Sequence, residues 1–297
     1  MKKYNCFSSL IGNDGLKKTV AEQLEANSIS HAMMILGEDG CGKNLFARLF
    51  AAAYLEDEDG LVERGVHPDC ITVVGTGASG LISVESVRDA LYELNKSAVT
   101  ANGRRVAIIK NAGSLNQNSA NALLKALEAP PVGVIFLITA KSEDELLATI
   151  VSRCVKYVLT PLSIDECLQA AGELFPSCDR TRLDALCRLY DGRLGLVKNA
   201  LSSPERLAVA DCALRFCDAA LKADRLTMLS ELENASTRDE LKSLLFDATM
   251  CLKLRLSNDI GLAERIGAIT DAIFKSYPDI ERNINIKLLC THLVAQL

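Results

Sequence analysis

Residues 37 to 44 read Gly-Glu-Asp-Gly-Cys-Gly-Lys-Asn, one residue short of a complete phosphate-binding loop. In the full pattern, Gly, four residues, then Gly-Lys-Ser/Thr, backbone N–H groups curl round the α/β-phosphates. The lysine reaches the β/γ-phosphates and the hydroxyl ligates Mg²⁺. Gly37, Gly40, Gly42 and Lys43 supply the first two functions, but Asn44 stands where the hydroxyl belongs. An amide oxygen is a poor substitute in the strict octahedral shell of Mg²⁺. The sequence predicts a degenerate nucleotide-binding frame and leaves open whether ATP or ADP is still held weakly or statically.

Hydrolysis needs a second, acidic site at the end of an apolar strand, where carboxylates hold the metal and polarise the attacking water. The strand suited to carry it, Arg105-Val106-Ala107-Ile108-Ile109, ends in Lys110-Asn111-Ala112-Gly113. No carboxylate stands there, and Lys110 brings a positive charge to where a cation would sit. Two metal-handling positions have changed together, so we expect no catalytic group acting in cis, no metal ligands and no required cofactor. The competing reading is a divergent ATPase that uses other carboxylates, Glu128 or Asp39.

These residues need a strand, a turn and a helix to aim them. Ala32 to Leu36 is an apolar run fit for a buried strand, and Leu45 to Tyr54 reads as the helix after the loop. Within and beyond that run, strands are expected at Met33–Leu36, Ile71–Val74, Arg105–Ile109, Val134–Thr139 and Val155–Val158, separated by amphipathic stretches of helix length. That alternation predicts an α/β domain, a parallel sheet with helices on its faces, over residues 1–160. Ser83 is the expected N-cap of a helix carrying Val84, Val87, Leu91 and Leu94. Asn118 to Glu128 forms another, stopped by Pro130-Pro131, and Ser142 with Glu145 forms a capping box for a short helix.

After Pro161 the strand signals vanish. Ser163 and Glu166 form a second capping box, and helical periodicity then runs to the end, broken at Pro176, Gly192, Gly195 and Pro204. The breaks predict a small helical lid over 161–203 and an all-α bundle over 204–297.

Composition limits the function classes. A chain of 297 residues with 49% hydrophobic content can bury sizeable cores in two or three units. A net charge of −5 gives no global attraction for nucleic acid. Charged residues from Asn13 to Lys18 interrupt any secretory apolar segment, and no apolar run reaches membrane-spanning length, so a cytoplasmic protein with no membrane partner is expected. The eleven cysteines include no Cys-x-x-Cys pair and fall mostly in apolar helical patterns, as Cys187, Cys212 and Cys251 do; they read as reduced thiols packed as small hydrophobes. His31, His67 and His292 are too scattered for a metal site, with His67 expected to cap a turn before Pro68. The pair Arg104-Arg105 reads as an edge charge.

Asn121-Ala-Leu-Leu-Lys-Ala-Leu-Glu-Ala-Pro-Pro131 resembles the signature helix of the AAA+ clamp-loader subunits of bacterial DNA polymerase III, departing from Asn-Ala-Leu-Leu-Lys-x-Leu-Glu-Glu-Pro-Pro at Ala129. Thr149-Ile-Val-Ser-Arg-Cys154 is similar to that family's Ser-Arg-Cys motif. Ile11-Gly12-Asn13, Ser30-His31-Ala32, His67-Pro68-Asp69 and Ile82 to Arg88 resemble its other landmarks in the same order. Within the family, the altered loop, the missing acidic strand end and Gly195, where a sensor arginine would align, resemble the delta-prime branch rather than the ATP-hydrolysing gamma/tau branch. Both branches commonly carry a four-cysteine zinc module between the loop helix and His-Pro-Asp. Leu55 to Val66 contains no cysteine, so no zinc is expected.

The resemblance implies a non-hydrolysing stator in a hetero-pentamer with gamma/tau and delta subunits, meeting the sliding clamp and primed DNA through the complex during DNA replication. It also implies that Arg153, flanked by Ser152 and Cys154, serves as an arginine finger in trans on a neighbour's ATP. An always-charged guanidinium suits that task. The bland alternative pairs Arg153 with Glu143 or Asp144. Gln117, Asn121 and Lys125 on one helix face read equally as a solvated face or as a contact to a neighbour or DNA. Leu241, Leu244, Leu245, Leu252 and Leu254 are expected to exceed what a small bundle buries and to supply a collar interface. A rival outside this family is a free-standing nucleotide-sensing regulator.

Overall fold

The computed structural model describes residues 4–77, 80–282 and 284–297. The chain divides into two compact units, Met1–Leu162 and Ser163–Leu297.

In the first unit, five strands, β1 (Ala32–Leu36), β2 (Cys70–Val73), β3 (Arg105–Ile109), β4 (Val134–Ala140) and β5 (Val155–Val158), form a parallel sheet in the order β2-β3-β4-β1-β5. Every residue of β1, β3 and β4 is buried, which is why these strands read as unbroken apolar runs rather than alternating ones. Alternate side chains feed two cores. Met33, Ile35, Val106, Ile108, Ile135 and Leu137 pack with Val20 and Leu24 of α1 (Asp14–Glu25) and Phe46 and Phe50 of α2 (Lys43–Leu55). Met34, Ala107, Ile109, Phe136 and Ile138 pack with α3 (Val84–Leu94), α4 (Gln117–Glu128) and α5 (Ala148–Val151).

Local polar groups set the boundaries. Ser83 accepts the Ser86 N–H at 3.1 Å and Asn116 accepts the Ser119 N–H at 2.9 Å, so α3 and α4 each begin behind a side-chain cap. α4 starts one residue earlier than the pattern suggested, and β2 is displaced one residue toward Cys70, where the Val106 N–H bonds the Asp69 carbonyl at 2.8 Å. The box expected from Ser142 and Glu145 does not form. Residues Glu143–Glu145 make a single 3₁₀ turn without a side-chain cap, and Glu145 accepts the N–H of Lys141 at 3.1 Å instead, closing the end of β4.

The second unit is helical: α6 (Ile164–Leu174), α7 (Arg180–Leu189), α8 (Leu194–Ala200), α9 (Pro204–Leu221), α10 (Arg225–Glu233), α11 (Arg238–Asn258), α12 (Ala263–Glu281) and α13 (Ile286–Gln296). The Ser163–Glu166 capping box is present, and Pro204 opens α9 behind a Ser203 cap. Gly195 is no break; it lies in the first turn of α8. Both stretches expected as lid and bundle belong to this unit. Within it the Tyr190 hydroxyl donates to Asp247 at 2.9 Å, and Arg206 donates to both Asp247 oxygens at 2.7 and 3.0 Å. Burial pushes the Asp247 carboxyl above its ordinary range even against Arg206. Leu241, Leu244, Leu245 and Leu252 are buried inside the unit and Leu254 is half-buried, so they fill its interior instead of forming an exposed interface. No helix among the described residues is long and apolar enough to cross a membrane.

Candidate functional site

β1 delivers the chain into the loop at Gly37. A Cβ there would lie 2.5 Å from the carbonyl oxygen of Leu159, and φ is +147°, so only glycine fits. Gly42 caps α2 at φ +94°, where a Cβ would meet Leu10 at 2.8 Å. Lys43 is 8% exposed, and its ammonium donates to the Gly37 and Glu38 carbonyls at 2.5 and 3.0 Å, with Asp39 at 3.5 Å. Asp39 also pairs with Lys141 at 2.9 Å. Burial works to raise the Asp39 pKa, but the bond to Lys141 and the charges of Lys141 and Lys43 outweigh it and hold the carboxyl below its ordinary value.

The metal-handling positions are bonded to one another. The Thr139 hydroxyl at the end of β4 donates to the Asn44 amide oxygen at 3.3 Å, and the same hydroxyl oxygen accepts the Asn111 backbone N–H at 2.9 Å. Asn111 holds a left-handed turn (φ +52°), and its amide donates to Ser114 at 2.9 Å. The Lys110 backbone N–H bonds the Val73 carbonyl at 2.9 Å, while its ammonium has no hydrogen bond or ion pair among the described residues; burial, and next the neighbouring charge of Arg48, press its pKa below the ordinary lysine value. The Asn44 amide, the Thr139 hydroxyl and Asn111 that meet there bring no carboxylate, a donor set that does not fit Mg²⁺.

Arg153 lies elsewhere. It follows α5 and precedes β5, whose register sets Met33 beside Val155 and Leu36 beside Val158. Arg153 is therefore at the N-terminal edge of the sheet and the loop at the C-terminal edge. The six steps along the chain from His31 to Gly37 separate them by about 20 Å along the strands, at about 3.3 Å per residue. One guanidinium nitrogen donates to the Thr149 carbonyl at 2.8 Å and the other to Glu128 at 2.8 Å. Glu143, a partner in the alternative reading, pairs with Lys156 instead. Glu128 is the last residue of α4, where the helix dipole disfavours a carboxylate and favours a nearby cation. His31 donates through Nε2 to the Leu127 carbonyl at 3.1 Å, satisfying another group of that helix end. Glu128 thus stands at the wrong edge to act on this chain's own loop. Ser152 donates to the Thr149 carbonyl at 3.1 Å, and burial pushes the Cys154 thiol up to about 11, which keeps it protonated and unreactive.

Other singled-out residues have structural partners. Arg105 is not an edge charge; it is 5% exposed, lies 3.3 Å from Asp69, and donates to the Glu93 and Lys96 carbonyls at 2.5 and 2.8 Å. Burial tends to raise the Asp69 pKa, but the N–H groups of Val99 and Thr100, the Thr100 hydroxyl and Arg105 together lower it. His67 caps its turn by accepting the Asp69 N–H at 3.1 Å. The stretch after α2 is closed by Asp57, which accepts the Leu61 and Val62 N–H groups at 3.1 and 2.7 Å. Asn121 and Lys125 line a groove of 740 Å³ between α3 and α4 with Arg88, Asn95 and Asn118. In the second unit Gly195 is exposed, and Arg193 is buried with Nε donating to the Tyr190 carbonyl at 2.9 Å. Thr139 carried no motif signal; an unexplained hydroxyl at a strand end facing the loop was its only trace.

The family described as DNA polymerase III, delta subunit, matches residues 12–163, just over half of the chain and nearly all of the first unit. The chain belongs to the DNA polymerase III clamp-loader AAA+ family. It is 32% identical over 171 residues to the DNA polymerase III subunit tau of Salmonella typhimurium, covering 54% of this chain and 26% of that protein. It is 33% identical over 139 residues to the DNA polymerase III subunit delta' of Pseudomonas aeruginosa, covering 43% of this chain and 42% of the relative. The chain spans about a quarter of the length of the tau relative and under half of the delta' relative. In fold it is similar to a DNA polymerase III gamma subunit-related protein of Thermotoga maritima, with TM-score 0.53 and 17% identity over 93% of this chain and 97% of that one.

Proposed function

We propose that this family member is a delta-prime-like, non-hydrolysing subunit of a DNA polymerase III clamp loader, acting in replication beside tau/gamma and delta subunits. It holds a neighbouring ATPase in register and offers Arg153 to that neighbour's ATP, while the assembly places a sliding clamp on primed DNA. The observation that carries this reading is the separation of Arg153 from the loop. A phosphate-binding cation at the edge of the sheet opposite its own loop cannot serve that loop and can serve a second chain. The Asn44–Thr139–Asn111 chain and the cations at Lys110 and Arg48 support the absence of hydrolysis in cis.

ATP binding and turnover by the isolated chain, with and without Mg²⁺, test the reading. No Mg²⁺-dependent turnover is expected; such turnover, abolished by Lys43→Ala, overturns it. Affinity capture tests the assembly, with recovery of tau/gamma and delta subunits expected and their absence fatal to the clamp-loader role.

A further inference from the structure

We infer that Glu128 is a positioning residue for Arg153, holding one edge of the guanidinium so that its remaining N–H groups are aimed outward at an anionic ligand on another chain. This rests on the trans role of Arg153 given above.

The geometry supplies a clamp with two jaws. The Thr149 carbonyl takes one terminal nitrogen at 2.8 Å and Glu128 takes the other at 2.8 Å, while the Ser152 hydroxyl lies 3.4 Å from the first. Guanidinium has five donors in a planar fork. Anchoring both terminal nitrogens fixes the plane and leaves the remaining N–H groups for a ligand. An arginine side chain has large rotamer freedom, so a finger fixed beforehand loses less of it on meeting a phosphoryl group. The jaws come from separate elements, α4 and α5, which belong to the same buried core. Glu128 itself sits against the dipole of α4, so Arg153 neutralises a carboxylate that the helix end disfavours. The two side chains keep 36% and 48% exposure, so the clamped guanidinium stays accessible to an anion from outside the chain.

The test is steady-state and single-turnover ATP hydrolysis by the reconstituted clamp loader, with this chain as wild type, Arg153→Ala, Glu128→Ala, Glu128→Gln and the double variant. Glu128→Ala is expected to lower the rate at the neighbouring site roughly threefold to fivefold, with KM for ATP unchanged. Glu128→Gln keeps an acceptor oxygen and is expected to restore most of that loss. The double variant is expected to equal Arg153→Ala. A rate unchanged or raised in Glu128→Ala, a loss that appears only in KM, no rescue by Gln, or a further loss in the double variant overturns the inference. If Arg153→Ala itself has no effect, the trans role falls; if it has its effect and Glu128→Ala has none, only the clamp does. Unaltered melting temperature and subunit stoichiometry for Glu128→Gln keep a folding defect from imitating either result.

Discussion

The two edges of the first unit's sheet treat polar groups in opposite ways. At the loop edge, the loop's own polar groups satisfy one another, though the Lys110 ammonium beside them does not: Lys43 bonds the loop's carbonyls, Asp39 joins Lys43 to Lys141, and Thr139 joins Asn44 to Asn111. At the other edge Arg153 is held by Thr149 and Glu128 yet keeps 36% of its side chain exposed. A buried network that is internally satisfied gains stability and loses reactivity. A partly exposed cation keeps access to solvent and to an anion from outside the chain, which is the contrast on which the proposed trans role rests.

The contrast can be broken by substitution. Arg153→Ala should lower ATP hydrolysis at the neighbouring site by on the order of 10³ while the complex still assembles, read by single-turnover hydrolysis and size-exclusion chromatography. Unchanged hydrolysis would remove the functional half of the contrast. Lys43→Ala should leave that hydrolysis intact and instead destabilise the chain by about 1–3 kcal/mol in urea unfolding, because two loop carbonyls lose a charged donor. A collapse of turnover with normal stability would show the loop to be catalytic. Thr139→Val should cost about 1–2 kcal/mol, since the Asn111 N–H is left without its acceptor. Asn44→Thr should create no Mg²⁺-dependent turnover, because Lys110 and Asn111 still offer no carboxylate.

The smallest effect concerns pH. The Asp39 carboxyl has its folded pKa held below the ordinary 3.8, so its contribution is present above that value and is lost as pH falls through the folded pKa. The group is half-exposed and screened, which limits the difference between wild type and Asp39→Asn to about 1 kcal/mol. Stability curves at pH 7 and pH 3 should converge for the two proteins at the acid end. A gap that widens on acidification would reverse the assigned direction.

Much of the first unit was legible because its determinants are local. The apolar runs of β1, β3 and β4 and the cap at Ser83 each depend on neighbours a few residues away. The partners of the charged residues were not legible. The alternative to a trans role for Arg153 offered Glu143 or Asp144 as partner, ten and nine positions upstream, yet the carboxylate it meets is Glu128, because α4 and α5 pack together. Arg105 looked like an edge charge because nothing near it in sequence announces Asp69, which β2 brings alongside. Thr139 was invisible for the same reason: its bonds to Asn44 and Asn111 exist only once β1, β3 and β4 lie side by side. The Ser142–Glu145 pattern misled because Glu145 had a better donor in Lys141, at the end of the strand.

The fit of Gly37 against the Leu159 carbonyl bears on how loss-of-function screens of this chain would read. Leu159 directly follows β5, and the Arg153 turn directly precedes it, so any side chain at position 37 would push on the strand that joins the loop edge to the Arg153 turn. Gly37→Ala is therefore expected to disturb β5 as well as the loop. Sensitivity at position 37 in a mutational scan would report the clearance between two backbones before it reported on nucleotide.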